Sequence, residues 1–560
     1  MRLTITLTLL AGLCSLATDA AAARTLKVHR PTPIPMGANG TTGPPNRATI
    51  TIEQDFHVVG NDDAAIRKAI EEAAEAGTDG TVAVVLTPGE TYTLSNPLTI
   101  PSNVILDGTG ASIGEDPGPR PKLRLMPRSN GDPWAYAVSM QDASGTGSSN
   151  AGLYYVRLEA QTNAQRCVWV RDEASDIYIY DNILVDEVDP DVKGNVETPA
   201  SATRMVDLEE GAFDVWIDGN QFLHCTTGIK IHQGRTAFVR IFANRFTQWR
   251  KFAITANRRE NGVLAAHDII IRNNRINPPK KSVGPRKPID FQTAPSLLKF
   301  PAETSNAASN QPIYRVFIEN NLIFGMPGLF YSRYEDNRAT ADMITAHRVR
   351  KLVIRNNKLR NGGEVGINVA RGSYDALIQA NSVERCDGSG VNVGVLASPE
   401  DGVLTNDDLK IDFVRVRDNS LRENNRNANR NVENIPGTPQ DLSFPGFARS
   451  GVVAQNADRL TVVNNVFREL PSFVKFFSDS TAFRYCETKC ILEQRVSQDR
   501  LPDSYEVDPS AIPATTLQAI SVTDVDDLNV SGNDISGLPD HCVLIEDYPT
   551  GCPKTCPDDE

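Results

Sequence analysis

The segments FDVWIDGNQF (Phe213–Phe222), FVRIFANRF (Phe238–Phe246) and DIIIRNNRI (Asp268–Ile276) repeat one pattern. Each has alternating apolar residues, then an Asn, one polar residue and a large apolar residue. The Asn residues are 24 and 30 positions apart, too close for a strand, a crossover helix and another strand. Repeats of this length with period-2 alternation indicate a solenoid whose coils are built from strands.

The same Asn signature recurs along most of the chain. Its members are Asn182, Asn220, Asn244, Asn274, Asn321, Asn357, Asn381, Asn419, Asn465 and Asn533. Asn tolerates the left-handed backbone at a corner, and stacked amides can hydrogen-bond to one another. We therefore expect these residues to be structural and to form a column.

Over residues 50–540 the chain resembles the right-handed parallel β-helix proteins of the pectin-lyase-like superfamily. That superfamily contains lyases, hydrolases, epimerases and non-catalytic adhesins, so the likeness predicts the fold and leaves the activity open.

The ends of the chain indicate export. Residues 1–23 combine Arg2, an apolar run and a stretch of four alanines, which predicts a secretory signal and a secreted or periplasmic protein. No later apolar run is long enough to span a membrane. The cysteines Cys167, Cys225 and Cys386 are expected to be buried, whereas Cys486, Cys490, Cys542, Cys552 and Cys556 are candidates for one or two disulfides.

The remaining organisation follows the repeat. Residues 24–47 form an extended leader, residues 48–110 a capping helix and the first coils, and residues 111–540 the β-helix. Ile66, Ala69, Ile70 and Ala73 predict an amphipathic helix that ends at Gly77 and covers the open end of the solenoid. Insertions are predicted at residues 278–300, 334–347, 422–447 and 470–515, and residues 541–560 form a cysteine-containing tail.

Charge points to the ligand. The net charge is −13, yet residues 229–287 contain fourteen Lys and Arg against two acids. Since coils stack about 4.8 Å apart, this run predicts a compact basic belt. An acidic polysaccharide is the expected partner of such a belt in an exported protein. Nucleic acid is not expected, because the chain has no nucleic-acid-binding signature.

Strand alternation predicts which charged side chains leave the coil. Ile229 and Ile231 should point inward, and the face outside them should carry Asp207, Glu209, Lys230, His232, Lys251 and Asp290. A ladder of salt bridges with no chemistry is the alternative interpretation of this face. A register shift of one residue would turn the side chains of any of these strands to the opposite face of the sheet.

The local sequence is similar to that of the pectate lyases. Residues 215–222, VWIDGNQF, resemble their V-W-I-D-H-N-x-F segment, and Lys251 lies where that family keeps a lysine. Gly219 replaces the His of that segment, Thr227 and Lys230 replace acids that hold calcium there, and the family's arginine motif is not met at residues 283–286. The polygalacturonase motifs are absent. The sequence therefore leaves open whether calcium is a cofactor, and it assigns no residues to a metal site.

Eliminative cleavage of a uronide needs a base and a cation that neutralises the sugar carboxylate. Lys251 is the first candidate base and His232 the second, with Lys230, Arg235, Arg258, Arg259 and Asp290 as substrate-binding residues. The sequence therefore predicts a polysaccharide lyase acting on an acidic glycan. Two alternatives stay open: a glycoside hydrolase that pairs Asp207 or Glu209 with Asp290, and a non-catalytic surface protein that binds acidic glycans.

Overall fold

The computed structural model describes residues 24–27, 49–77, 80–110, 117–142, 144–160, 163–171, 173–186, 204–209, 211–232, 235–249, 252–257, 266–277, 287–292, 313–325, 342–362, 365–370, 372–386, 389–394, 411–422, 424, 450–468, 481–485, 492–496, 505–507 and 518–537. Short strands follow one another in coils, and each strand pairs in parallel with the strand one coil earlier and one coil later. Three stacks result, named here sheet 1, sheet 2 and sheet 3.

Sheet 1 contains Leu98–Ile100, Val138–Met140, Arg166–Val170, Arg204–Leu208, Thr227–His232, Phe252–Asn257, Lys287–Gln292, Ile344–His347, Ile367–Ala370 and Val391–Val393. Sheet 2 contains Gln54–His57, Val82–Val85, Val104–Asp107, Ser149–Tyr154, Ser175–Tyr180, Phe213–Asp218, Ala237–Phe242, His267–Arg272, Ile313–Glu319, Val349–Arg355, Tyr374–Gln379 and Asp412–Arg417. The long strands Ser450–Val463 and Gln518–Ser531 run through both sheets.

Sheet 3 contains Thr91–Leu94, Lys122–Leu125, Arg157–Glu159, Ile183–Val185, Gln221–Leu223, Arg245–Thr247, Arg275–Ile276, Leu322–Phe324, Lys358–Arg360, Ser382–Glu384, Ser420–Arg422, Val466–Arg468 and Asp534–Gly537. Two antiparallel groups lie outside the stacks: Arg24–Lys27 with Thr49–Ile52, and Thr481–Tyr485 with Leu492–Val496 and Tyr505–Val507. Because parallel crossover connections are right-handed, the chain is a right-handed parallel β-helix, as the sequence predicts.

The interior of the coils is apolar and tightly stacked. Side chains at matching register positions lie above one another, as Phe222 and Phe246 do with ring centroids 4.6 Å apart and an interplanar angle of 7°. Cys167, Cys225 and Cys386 are buried in this core, as the sequence predicts. The cysteines assigned to disulfides lie outside the described residues.

The Asn column forms as predicted. The amide Nδ2 of Asn244 donates to Oδ1 of Asn274 at 3.1 Å, and Nδ2 of Asn220 donates to Oδ1 of Asn244 at 3.0 Å. The same contact links every member of the set from Asn182 to Asn533. The left-handed residue is the one before each Asn, for example Gly219 with φ 68° and Ala243 with φ 51°. The column therefore stabilises the corner by hydrogen bonds, while its neighbour adopts the left-handed backbone.

The capping helix spans Asp63–Ala76 and is followed by Gly77. The Asp62 side chain accepts a hydrogen bond from the backbone N–H of Ala65 at 2.8 Å, which caps the first turn. Its buried face includes Ile66 and Ala73, as the apolar stripe predicts. The helix therefore covers the first coils at the open end of the solenoid.

Two predicted insertions are narrower than the sequence analysis suggested. Lys287–Gln292 lies within the predicted insertion 278–300 and Ile344–His347 within 334–347, yet both are strands of sheet 1. Each strand lacks the Asn signature because that signature marks the corner after sheet 2. A pattern search based on the Asn therefore misses the sheet 1 strands.

The corner after sheet 2 also contains an unusual carboxyl group. Burial, together with the nearby charge of Asp181, raises the pKa of Asp218 to about 7, against one backbone hydrogen bond from Gly219 that lowers it. A carboxyl whose folded pKa exceeds its unfolded value stabilises the fold fully below the unfolded pKa of about 4, and this stability is lost as pH rises through the folded value. We expect the free energy of unfolding of the unmodified protein to fall between about pH 4 and 7 because of this group. The Asp218→Asn variant should lack this fall. Denaturant titrations of both proteins from pH 4 to 8 check this, and equal pH dependence would contradict it.

Candidate active site

The outward face of sheet 1 carries the polar residues that the alternation predicts. In register, Asp207 pairs with Lys230, Lys230 with Thr255 and Thr255 with Asp290. The flanking Ile229 and Ile231 lie in the apolar core, fully buried. The predicted inward direction of Ile229 and Ile231 in the strand Thr227–His232 is therefore confirmed.

Asp207 is the centre of a buried ionic cluster on this face. Its Oδ1 lies 2.7 Å from Nε2 of His232, and its Oδ2 accepts hydrogen bonds from Nε of Arg166 at 2.6 Å and Nη1 of Arg204 at 2.7 Å. The Asp207 side chain is fully buried. We call these four residues the Asp207 cluster. A carboxylate with three charged or polar partners is held rigidly in one orientation.

The cluster fixes the chemistry of both Asp207 and His232. Burial opposes ionisation, yet the hydrogen bonds from His232 and Arg204 and the charge of Arg204 hold the pKa of Asp207 well below its ordinary value. Asp207 is therefore ionised at neutral pH. It orients the imidazole with the Nε2 proton donated to Oδ1, which leaves Nδ1 as the nitrogen for proton transfer.

The neighbouring charged residues complete this face. Glu209, also buried, lies with Oε1 3.5 Å from Nη2 of Arg166. Lys230 is half-buried and follows Asp207 by one coil. Positive and negative groups thus alternate over about two coils, so the face can receive a ligand carrying both hydroxyl and anionic groups.

Several predicted site residues do not join the cluster or cannot be placed beside it. Arg235 is exposed at a left-handed corner between sheets 1 and 2. Lys251, Arg258 and Arg259 lie outside the described residues. The strand of Asp290 is described, and its register places this residue two coils after Lys230.

The register does not bring together Asp207 and Asp290, one of the two carboxyl pairs considered for a hydrolase. Asp207 and Asp290 are separated by three coil steps, about 14 Å between backbones at about 4.8 Å per step. Inverting glycosidases hold their carboxyl groups roughly 6.5–9.5 Å apart and retaining enzymes hold them closer still. Asp207 is also ionised and engaged on both oxygens. It is therefore unsuited to act as the acid of such a pair.

The basic residues after Ile229 do not form one belt among the described residues. Arg240 and Arg272 lie on sheet 2, where they form ion pairs with Asp214 and Glu319. Others, Arg245 and Arg275, belong to strands of sheet 3. Residues spaced through one coil occupy different sides of the solenoid, so closeness in sequence does not place them on one face.

The sequence analysis missed the two arginines of the Asp207 cluster. Arg166 and Arg204 are register partners at the start of successive sheet 1 strands. Their signal in the sequence is weak, because the strand Arg204–Leu208 has no Asn signature of its own. Only the pairing of coils identifies them as partners of Asp207.

The described residues contain neither a cluster of metal-binding side chains nor a helix that could span a membrane. They contain no group of three His, Cys, Asp or Glu side chains arranged to hold a metal ion. The helix in the same residues is too short and too polar to cross a membrane.

Comparison with known proteins reveals structural neighbours and no close relatives. No family model and no curated protein matches the chain. It is similar to the catalytic unit of the GH87 α-1,3-glucanase from Streptomyces thermodiastaticus strain HF3-3, at 11% identity over 74% of this chain and 67% of that chain, with a TM-score of 0.41. It is also similar to PfbA, a surface adhesin of Streptococcus pneumoniae, at 13% identity over 81% and 96%, with a TM-score of 0.40.

A further neighbour is the A-module of the mannuronan C-5 epimerase AlgE4 from Azotobacter vinelandii. The two share 12% identity over 89% of this chain and 98% of that chain, with a TM-score of 0.28. At these identities the likeness concerns the fold alone.

Proposed function

We propose that this chain, which has the fold of the pectin-lyase-like β-helix proteins, is a carbohydrate-active enzyme that cleaves an acidic glycan by β-elimination on the outward face of sheet 1. The observation that supports the proposal is the contact of 2.7 Å between His232 Nε2 and the ionised, buried carboxylate of Asp207. A histidine whose one ring nitrogen is held by a carboxylate can act as a general base through the other nitrogen.

The reaction can be written with the residues of this face. His232 Nδ1 takes the proton from the ring carbon next to the sugar carboxyl group. The electron pair forms a carbon–carbon double bond, and the glycosidic carbon–oxygen bond at the β position breaks. The leaving oxygen takes the proton from the His232 imidazolium, which regenerates the base, and a cation such as Lys230 neutralises the sugar carboxylate. Asp207 stabilises the imidazolium that forms and touches no reacting atom.

Lys251 remains a second candidate for the base. In the sequence it comes directly before the strand Phe252–Asn257. A lysine acts as a base only if neighbouring cations or burial lower its pKa. The His232 variant described next separates the two candidates.

The test is product analysis with a matched histidine control. The protein is incubated with pectate, alginate, glucuronan and sulfated glycosaminoglycans, with and without calcium, and ultraviolet absorbance is recorded together with reducing ends. We expect new absorbance with at least one uronide, and a fall in kcat/KM of about a hundredfold in His232→Gln. His267→Gln is the control, because His267 also contacts an aspartate, Asp268, at 2.6 Å, but lies on sheet 2.

The outcomes are distinct. Absorbance that persists in His232→Gln and disappears in Lys251→Ala would transfer the role of base to Lys251. Reducing ends without absorbance would indicate a hydrolase. No product from any substrate, with salt-sensitive retention on one of them, would favour a glycan-binding surface protein. Equal losses in His232→Gln and His267→Gln would contradict a specific role for His232.

A further inference from the structure

A second polar group lies on sheet 1, one coil before the Asp207 cluster. In register, Ser139 pairs with Trp169, and Trp169 pairs with Asp207. Arg171 follows Trp169 by two positions, so it leaves the coil on the same side. We call Ser139, Gln141, Trp169 and Arg171 the Trp169 patch.

The patch is held in place by its own contacts. The Arg171 guanidinium lies 4.4 Å from the Trp169 ring centroid, and its Nη1 donates to Oε1 of Gln141 at 2.8 Å. Gln141 Nε2 donates in turn to the hydroxyl of Tyr136 at 3.1 Å, whose ring lies 5.3 Å from that of Trp169. These contacts orient the side chains before any ligand arrives.

Three polar atoms of the patch have no hydrogen-bond partner among the described residues. They are the hydroxyl Oγ of Ser139, the indole Nε1 of Trp169 and the Nε of Arg171, and each atom is buried. The indole and guanidinium nitrogens can only donate. Buried donors without an acceptor are unfavourable. The complementary ligand is therefore a group that only accepts hydrogen bonds.

Charge leads to the same conclusion. The Arg166 guanidinium, which also lies near the Trp169 ring at 4.7 Å, is neutralised by Asp207 and Glu209. Among the described residues, no carboxylate lies within ion-pair distance of Arg171, which is half-buried. A cation partly removed from water without a counter-charge favours binding of an anion.

Sheet 2 contains the same Trp–Arg stack in a completed form. Arg240 lies 4.4 Å from the Trp216 ring centroid. There the carboxylate of Asp214 accepts a hydrogen bond from Trp216 Nε1 at 3.1 Å and forms an ion pair with Arg240. One carboxylate thus satisfies both donors of that stack. At Trp169 and Arg171 the corresponding carboxylate is not supplied by the described part of the chain.

We propose that the Trp169 patch binds an oxyanion of an acidic sugar, which is a carboxylate or a sulfate. This subsite would lie next to the sugar ring from which His232 removes a proton. This inference rests on the proposed function for its ligand, a glycan. The patch lies one coil step, about 4.8 Å, from Asp207, so both sites can contact one chain. The patch would then fix the charge spacing of the substrates that the enzyme accepts.

Calorimetric titration tests the subsite separately from catalysis. The probes are an oligogalacturonate, an alginate oligosaccharide, a sulfated glycosaminoglycan oligosaccharide and a neutral cellulose oligosaccharide of the same length. We expect Arg171→Gln to raise the Kd of the best acidic probe about tenfold, and Trp169→Phe, which keeps an aromatic ring and removes the N–H donor, to raise it about threefold. Arg245→Gln, an exposed cation on sheet 3, controls for net charge and should leave the Kd unchanged.

The subsite and the reaction can fail independently. Weaker binding of acidic probes in Arg171→Gln supports the subsite even if no substrate is cleaved. Cleavage with unchanged Kd and KM in both patch variants overturns the subsite and leaves the proposed reaction intact. Equal binding of acidic and neutral probes by the unmodified protein also overturns it. Preference for uronates or for the sulfated probe identifies which oxyanion is bound. Unfolding midpoints of both variants ensure that folded proteins are compared.

Discussion

Asp207→Ala is expected to lower the free energy of unfolding by about 4 kcal/mol and to abolish glycan cleavage. The carboxylate is fully buried and pairs with Arg166, Arg204 and His232. Its removal leaves the part-buried guanidinium groups of Arg166 and Arg204 without the carboxylate that they share. The remaining partner of Arg166, Glu209, is more distant, at 3.5 Å.

Denaturant titration measures this loss, and Glu72→Ala is the matched control. Glu72 lies 3.5 Å from Lys68 in an exposed pair on the capping helix. Such surface pairs contribute about 0.5 kcal/mol or less. If Asp207→Ala costs no more than Glu72→Ala, the cluster is not the rigid ionic centre described above.

The pH dependence of the unfolding free energy distinguishes the effect of the Asp207 charge from the effect of its packing. A carboxylate with a lowered folded pKa gives stability that is present above its unfolded pKa, about 3.9, and lost as pH falls through the folded value. Asp207→Asn retains the shape and removes this charge. The difference in unfolding free energy between the two proteins should be largest above about pH 5 and should shrink below about pH 4. A constant difference across this range would show that charge is not its source.

Asn244→Ala is expected to lower the free energy of unfolding by about 4 kcal/mol, because several buried hydrogen bonds are lost together. Asn244 Nδ2 donates to the carbonyl of Ile217 at 2.8 Å and to Oδ1 of Asn274 at 3.1 Å. Its Oδ1 accepts from the backbone N–H of Asn220 at 2.9 Å and from its Nδ2 at 3.0 Å. Alanine leaves polar groups in two neighbouring coils unsatisfied.

Two further variants calibrate this effect. Asn533 ends the described column and is half-buried, so Asn533→Ala should cost about half as much. The side chain of Asn96 is exposed and outside the column, so Asn96→Ala should change stability by no more than about 0.5 kcal/mol. Equal effects of the three substitutions in denaturant titrations would contradict a cooperative column.

The repeat was readable in the sequence because each coil meets the same physical demand. Every coil needs alternating inward apolar residues and a corner amide, so Asn220, Asn244 and Asn274 recur with apolar residues at fixed distances. The inward direction of Ile229 and Ile231, and hence the outward direction of Lys230 and His232, follows from this alternation alone. The capping helix was readable for the same reason, since its stripe and cap are local features.

The partners of Asp207 were decided by tertiary structure. Arg166 and His232 are 66 positions apart, and they meet at one carboxylate because coils of unequal length stack in register. Insertions vary the length of each coil without changing how the coils stack. The number of residues between two positions therefore does not tell how many coils apart they lie. For the same reason the run of basic residues was distributed over three sheets. The sequence alone determined the β-helix, the Asn column and the direction of side chains, because these depend on local periodicity. The stacking of coils decided which charges meet, because ion pairs depend on distances across the solenoid.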